Sequence, residues 1–296
     1  MSQERSKVTI LDLQAKKEKG QPITMVTAYD YPTGVMADRA GMDVILVGDS
    51  LAMVVLGYEN TVTVTMEEML HHCRAVARGA RHPLLVGDMP FMSYHVSTAQ
   101  AVENAGRFLK EGSMDVVKLE GGWERAQVVS AVVEAGIPVM GHIGLTPQTI
   151  SMLGGFRTQG KTAEAALKLV EDALALEEAG CFSLVLEAIP DRVATLITKK
   201  LKIPTIGIGA GAGTDAQVLV LHDMLGMFDR FTPKFVKKYA DFFETGTKAL
   251  QQYVQDVEQK VFPGPEHIFT MKDDVYEALL TELEQRGNSQ KRQGMI

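Results

Sequence analysis

Acidic residues recur in this chain where short apolar runs stop. Asp49 sits in Gly48-Asp49-Ser50, and Asp88 in Gly87-Asp88-Met89-Pro90. Glu120 lies two positions beyond Lys118, and Glu187 follows Leu184-Val185-Leu186. His142 ends another run, and Tyr29-Asp30 follows the first. One acid in such a place means little, because Asp is a common helix N-cap. Polar or charged groups at six successive run ends are harder to explain structurally. Gathered on one rim they repel, unless a cation or proton offsets the charge. Carboxylates and water suit a hard ion such as Mg²⁺, whereas zinc favours His or Cys. Asp49, Asp88 and Glu120 follow neighbouring runs and can face one ion. Lys118 and Glu120, at i and i+2, point to one side of a strand. A buried Lys118 needs those acids nearby, and charge balance is its alternative role. Glu187 stands apart, placed as a general base opposite a metal-bound substrate.

These residues need a scaffold that brings run ends together. The apolar runs read as strands at Ile23–Ala28, Asp43–Val47, Leu84–Gly87, Asp115–Leu119, Ile137–Gly141, Phe182–Leu186, Ile203–Ile208 and Val218–Leu221. The last could equally be helical. Most are continuous rather than alternating, as in parallel strands covered on both faces. Amphipathic helices lie between them at Met66–Ala80, Thr98–Glu111, Glu124–Ala135 and Ala163–Ala179, and Gly112, Gly136 and Gly180 stand where three of them should end. About eight βα repeats favour a closed (β/α)8 TIM barrel over an open doubly wound sheet, and put the active site at the C-terminal strand ends. Thr9–Lys19 reads as a short N-terminal helix, capped by Thr9, that plugs the barrel floor. Residues 1–262 form one barrel domain, including a long amphipathic helix at Lys234–Val261; residues 263–296 form a C-terminal extension. That extension is helical at Asp274–Arg286 and disordered from Gly287 on.

Composition limits the remaining classes. The 296 residues are 46% hydrophobic, with a net charge of −7, so a nucleic-acid partner is not expected. The two cysteines, Cys73 and Cys181, are not in a CxxC pair, which fits a reducing, cytoplasmic setting. No stretch approaches a membrane span. GIGAGAG follows a late strand, out of context for a dinucleotide fingerprint; it reads as a tight loop giving a ligand close backbone approach. Met89 and Met140 flank the proposed site.

The motifs TAYDYPTG, VGDSLAMVVLGYENT, VGDMPFMSY, VKLEGG, GIPVMGHIGLTPQ, GGFRTQGK, LVLEAIP, IGIGAG and QVLVLHDMLG run in order from about Thr27 to Gly226. Together they closely resemble the ketopantoate hydroxymethyltransferase family. The resemblance implies a metal-dependent barrel of the phosphoenolpyruvate/pyruvate type, homo-oligomeric and commonly decameric. It implies one-carbon transfer from 5,10-methylenetetrahydrofolate to 3-methyl-2-oxobutanoate. By it, Asp49 and Asp88 bind Mg²⁺ and face the keto acid, with Glu120 a third acid at the metal. Ser50, Lys118 and His142 hold the substrate, and Glu187 is the proton acceptor; Asp30 and Asp223 fall back to structural roles. Ala52 and Ala216 stand where the family often has Gly. Without the folate, the same residues would serve an aldolase or a phosphonopyruvate-mutase-like lyase. A non-catalytic metabolite-binding barrel is the third reading.

Overall fold

The computed structural model describes residues 5–153, 155 and 157–293. Its eight strands are β1 (Ile23–Thr27), β2 (Val44–Val47), β3 (Leu84–Asp88), β4 (Val116–Glu120), β5 (Val139–Gly144), β6 (Ser183–Glu187), β7 (Thr205–Ile208) and β8 (Ala216–Leu219). They pair in chain order, and β8 closes in parallel on β1. The fold is the (β/α)8 barrel, not the open sheet. β8 is the run that read ambiguously: its strand ends at Leu219, and a helical turn, Leu221–Met224, takes over.

Strands β2 and β3 are buried at every position, which is why their runs do not alternate. Alternate residues of each strand share one face. From the floor upward, one face of β3 reads Leu84, Val86, Asp88, and that of β4 reads Val116, Lys118, Glu120. The lower members join Met25, Leu46, Met140, Val185, Ile206 and Val218 in one apolar cluster. The upper members are ionic, so the barrel interior changes from oil to charge along its axis.

The N-terminal segment clamps the floor. Its helix, Ile10–Glu18, starts at a capping box between Thr9 and Asp12. Leu13 is 1% exposed and belongs to the interior cluster. Three aspartates, each just before a strand, carry the rest. Asp43 accepts the amide of Thr24, Asp115 that of Leu85, and Asp215 that of Thr205. Each also pairs with a lysine from the segment: Lys16 with Asp43 at 2.5 Å, Lys7 with Asp115 at 2.6 Å, and Lys17 with Asp215 at 2.8 Å. These acids serve assembly; the acids at the opposite end do not.

The helices Met66–Gly79, Thr98–Lys110 and Ala163–Glu178 fall within a residue or so of expectation. The fourth begins as a 3₁₀ turn, Trp123–Arg125, and runs on as Ala126–Glu134. Gly136 and Gly180 take the expected left-handed conformation. Gly112 does not; Ser113 does so instead, and a Cβ on Gly112 would lie 2.7 Å from the Phe108 carbonyl. Two further helices, Tyr31–Ala40 and Asp191–Lys200, complete the alternation.

Met1–Asp241 and Phe242–Ile296 form separate compact units. The helix expected from Lys234 starts only at Phe242. The preceding segment is held by the barrel instead: the Tyr239 amide donates to the Met224 carbonyl at 2.7 Å. The second unit also carries the helix Asp273–Gln293, so the tail expected to lack structure is helical as far as Gln293; 294–296 lie outside the described residues. Among the described residues no helix is long and apolar enough to cross a membrane.

Candidate active site

A cavity of about 400 Å³ opens at the C-terminal ends of the strands, a volume usual for small-molecule sites. Asp49, Ser50, Asp88, Lys118, Glu120, His142 and Glu187 all line it. Strand register explains the grouping. Asp88 of β3 lies opposite Lys118 of β4, and Glu120 of β4 lies opposite His142 of β5. Lys118 Nζ is 2.8 Å from Asp88 Oδ1 and 3.8 Å from Glu120 Oε1. His142 Nδ1 is 3.4 Å from Glu120 Oε1, and its Nε2 is 3.2 Å from Glu187 Oε2. The Asp49 amide donates to Asp88 Oδ2 at 3.0 Å. Glu187, at the end of β6, therefore reaches the cluster through His142 rather than by direct contact with the other acids.

Burial sets the charges here. Lys118 is raised above the ordinary lysine value: burial opposes its charge, but Asp88, Glu120 and Asp49 overcome it. Burial also opposes charge on His142, as does Lys118, yet Glu120 and Glu187 push it up to about 9. Glu120 is held below its ordinary value because His142 and Lys118 outweigh its burial. Asp49 is pushed well above the carboxylate range, first by burial and then by Asp88 and Glu120. The protein's own cations thus do not offset the cost of a charge on Asp49.

Among the described residues, three of the five buried side-chain polar atoms that lack a hydrogen bond belong to residues lining this cavity: Thr61 Oγ1, Asp88 Oδ1 and His142 Nε2. Asp88 Oδ1 and His142 Nε2 are nonetheless ion-paired, with Lys118 Nζ at 2.8 Å and Glu187 Oε2 at 3.2 Å, which leaves Thr61 Oγ1 without a partner. A buried polar atom left unpaired, as Thr61 Oγ1 is, is rare in a folded interior. Among the described residues no three His, Cys, Asp or Glu side chains converge as a ready metal shell. Two hard carboxylates with an excess of charge do fit a divalent cation whose other positions go to water and substrate.

Gln148, which the sequence reading passed over, joins the cluster into one body. It sits in a 3₁₀ turn after β5, Pro147–Thr149, and is 3% exposed. Its Nε2 donates to Asp49 Oδ2 and to the Met89 carbonyl, both at 2.9 Å. Its backbone amide donates to Glu120 Oε2 at 3.1 Å, and its Oε1 accepts from the Tyr94 hydroxyl at 2.7 Å. Tyr29 does similar work for Ser50, with hydroxyls 2.8 Å apart. Tyr29 was already visible at the end of the first apolar run; only its place in the fold could have revealed Gln148.

Several expectations change. Met89 and Met140 are fully buried and do not line the cavity. Asp30 is structural, as the N-cap of Tyr31–Ala40. Asp223, expected to be structural, lines the cavity. The glycines of GIGAGAG make room for protein rather than for a ligand. A Cβ on Gly209 would meet Phe235 at 2.7 Å, on Gly211 would meet Asp191 at 2.5 Å, and on Gly213 would meet Thr195 at 1.9 Å. Ala52 and Ala216 are buried and do not line the cavity. Of GGFRTQGK, Gly154 and Phe156 lie outside the described residues.

The fold is shared with solved enzymes of low sequence identity. A phosphonopyruvate hydrolase aligns with a TM-score of 0.58 at 12% identity, over 95% of this chain and 98% of that one. An oxaloacetate acetylhydrolase in complex with oxalate aligns with a TM-score of 0.55, also at 12% identity, over 94% and 98%. Sequence relatives are much nearer. The 3-methyl-2-oxobutanoate hydroxymethyltransferase of Carboxydothermus hydrogenoformans is 56% identical over 92% of this chain and 99% of its own length. That of Moorella thermoacetica is 59% identical over 90% and 99%. A mitochondrial form from Arabidopsis thaliana is 55% identical over 95% and 83%. The sequence model of ketopantoate hydroxymethyltransferase matches residues 7–265. This chain belongs to the ketopantoate hydroxymethyltransferase family.

Proposed function

We propose that the chain transfers a hydroxymethyl group from 5,10-methylenetetrahydrofolate to 3-methyl-2-oxobutanoate. Water completes the hydroxymethyl group, tetrahydrofolate leaves, and 2-dehydropantoate goes on to pantothenate and coenzyme A. The observation that carries this reading is one cavity holding a buried, excessively acidic cluster, with a separate carboxylate, Glu187, beside it.

Asp49 and Asp88 would hold Mg²⁺, with Glu120 behind them acting partly through water. Mg²⁺, when bound, would supply Lewis-acid polarisation of the keto oxygen and acidify the adjacent C–H. Glu187 removes that proton. His142, 3.2 Å from Glu187 Oε2, orients the carboxylate and shields it from the other acids. Lys118 stays an ammonium and donates to the oxygen on which negative charge develops. Ser50, oriented by Tyr29, binds the carboxylate of the keto acid. The apolar remainder of the cavity excludes water while the nucleophilic carbon is exposed.

A cytoplasmic setting belongs to the same reading, supported by two buried cysteines that form no disulfide. So does a homo-oligomer, a decamer by family resemblance, supported by exposed apolar side chains such as Leu250, Val254 and Val257 on the helix Phe242–Glu258. An assay for 2-dehydropantoate with and without methylenetetrahydrofolate tests the reaction. Folate-dependent product is expected; keto-acid turnover indifferent to folate would favour a lyase of the kind the fold also hosts.

A further inference from the structure

The acids and Lys118 occupy the β2–β4 side of the rim, and a five-carbon keto acid fills only part of the cavity. The remainder has a different character. Asp223, in the turn Leu221–Met224 after β8, is 9% exposed and lines this part. Among the described residues nothing donates a hydrogen bond to its carboxylate, and Lys238 acts on it through charge alone. The walls near it in sequence are aromatic: Phe228, Phe231 and Phe235. Phe231 and Phe235 are 63% and 38% exposed, so large flat apolar faces stand open beside the cavity. Two cations, Lys234 and Arg157, also line it and are exposed to solvent.

A buried, unpartnered carboxylate in a cavity that phenylalanines also line calls for a flat ligand with two adjacent N–H donors. A 2-amino-4-oxopteridine has that edge, in its ring N3–H and 2-amino group. It is also planar, and its folate form carries an anionic glutamate tail suited to exposed cations. We propose that Asp223 receives the N3–H and 2-amino edge of the pterin, the Phe228–Phe235 segment covers its ring, and Lys234 and Arg157 receive the glutamate. This rests on the function proposed above and assigns the place of its second substrate. Burial pushes Asp223 up to about 6, so it is mostly ionised near neutral pH and able to accept both donors. The glycine at position 209 belongs to the same device: only without a Cβ there can Phe235 pack where it does.

The test compares full-length protein with Asp223→Asn, which keeps the shape but presents a donor to a donor. Tetrahydrofolate binding by calorimetric titration should weaken roughly 10- to 100-fold, with KM for methylenetetrahydrofolate rising in step. Mg²⁺-dependent binding of 3-methyl-2-oxobutanoate should persist, which also reports that the variant folds. A tetrahydrofolate analogue with methyl in place of the 2-amino group should bind native protein weakly and lose most of its sensitivity to the substitution. Unchanged tetrahydrofolate affinity in Asp223→Asn overturns the proposal. So does equal weakening of the keto acid, which would make Asp223 structural, or full sensitivity of the methyl analogue. If native protein itself forms no product from methylenetetrahydrofolate, the functional reading fails instead.

Discussion

Gln148 and Glu187 make different demands on the same cavity, and single substitutions should separate them. Glu187→Gln keeps the shape and removes the base. Mg²⁺ binding should survive, while hydrogen–deuterium exchange at the substrate carbon next to the ketone should vanish; normal exchange by NMR would eliminate Glu187 as the base. Gln148→Met has the opposite signature. It strips a donor from Asp49 and an acceptor from Tyr94. Buried polar groups left unpaired cost about 1–3 kcal/mol each. Mg²⁺ affinity should fall several-fold and the denaturation midpoint should drop, with residual exchange still dependent on Glu187. A variant with native Mg²⁺ affinity would show that Gln148 does not position the acids. The acids were legible in the sequence because strand ends share one rim. Gln148 was not, because its four bonds reach residues 28 to 99 positions away and leave no local pattern.

Elements were legible where burial dictates composition. Continuous apolar runs marked the strands because both faces of the sheet are covered. The helix Tyr31–Ala40 escaped notice because Pro32 and Gly34 weaken its pattern. Pro32 suits a first turn. Gly34 is needed by tertiary contact, since a Cβ there would press on the Val76 carbonyl at 3.0 Å. The amphipathic stretch before Phe242 misled for the converse reason: Phe235 serves the cavity wall, and the Tyr239 amide is tied to the Met224 carbonyl. That same helix, Tyr31–Ala40, carries a pH-sensitive tie. Asp38 accepts the Arg81 amide at 2.7 Å and contacts His82 Nδ1 at 2.8 Å. Its burial would raise its pKa, but these bonds hold it below the ordinary value. A carboxylate depressed on folding stabilises fully above the unfolded value near ~4 and loses this as pH falls through the folded value. Asp38→Asn should therefore lower stability by about 1–3 kcal/mol at neutral pH, with the deficit closing in acid. Urea denaturation at several pH values would show this; a deficit that widens in acid contradicts the assignment.

At the scale of the molecule, the barrel separates its acids by end. At the floor, Asp43, Asp115 and Asp215 each meet a lysine and a backbone amide. At the rim, Asp49 meets Asp88 and Glu120 in a buried space. The floor acids stabilise; at the rim, a charge on Asp49 opposes folding until a cation arrives. Saturating Mg²⁺ at a hundred times its Kd should add about 2.7 kcal/mol by mass action, seen as a rise in Tm that a chelator reverses. Asp49→Asn should melt higher than native protein when both are metal-free, and should gain little from Mg²⁺. A lower metal-free Tm for Asp49→Asn would show that repulsion at the rim is not significant.

That crowding of charge has a consequence for anyone breeding a hardier form of this protein. A selection that rewards heat resistance in metal-poor medium would favour loss of Asp49, and survivors would be robust and inert. The same selection with Mg²⁺ abundant removes that reward, so the ion in the growth medium decides whether durability and function are rivals.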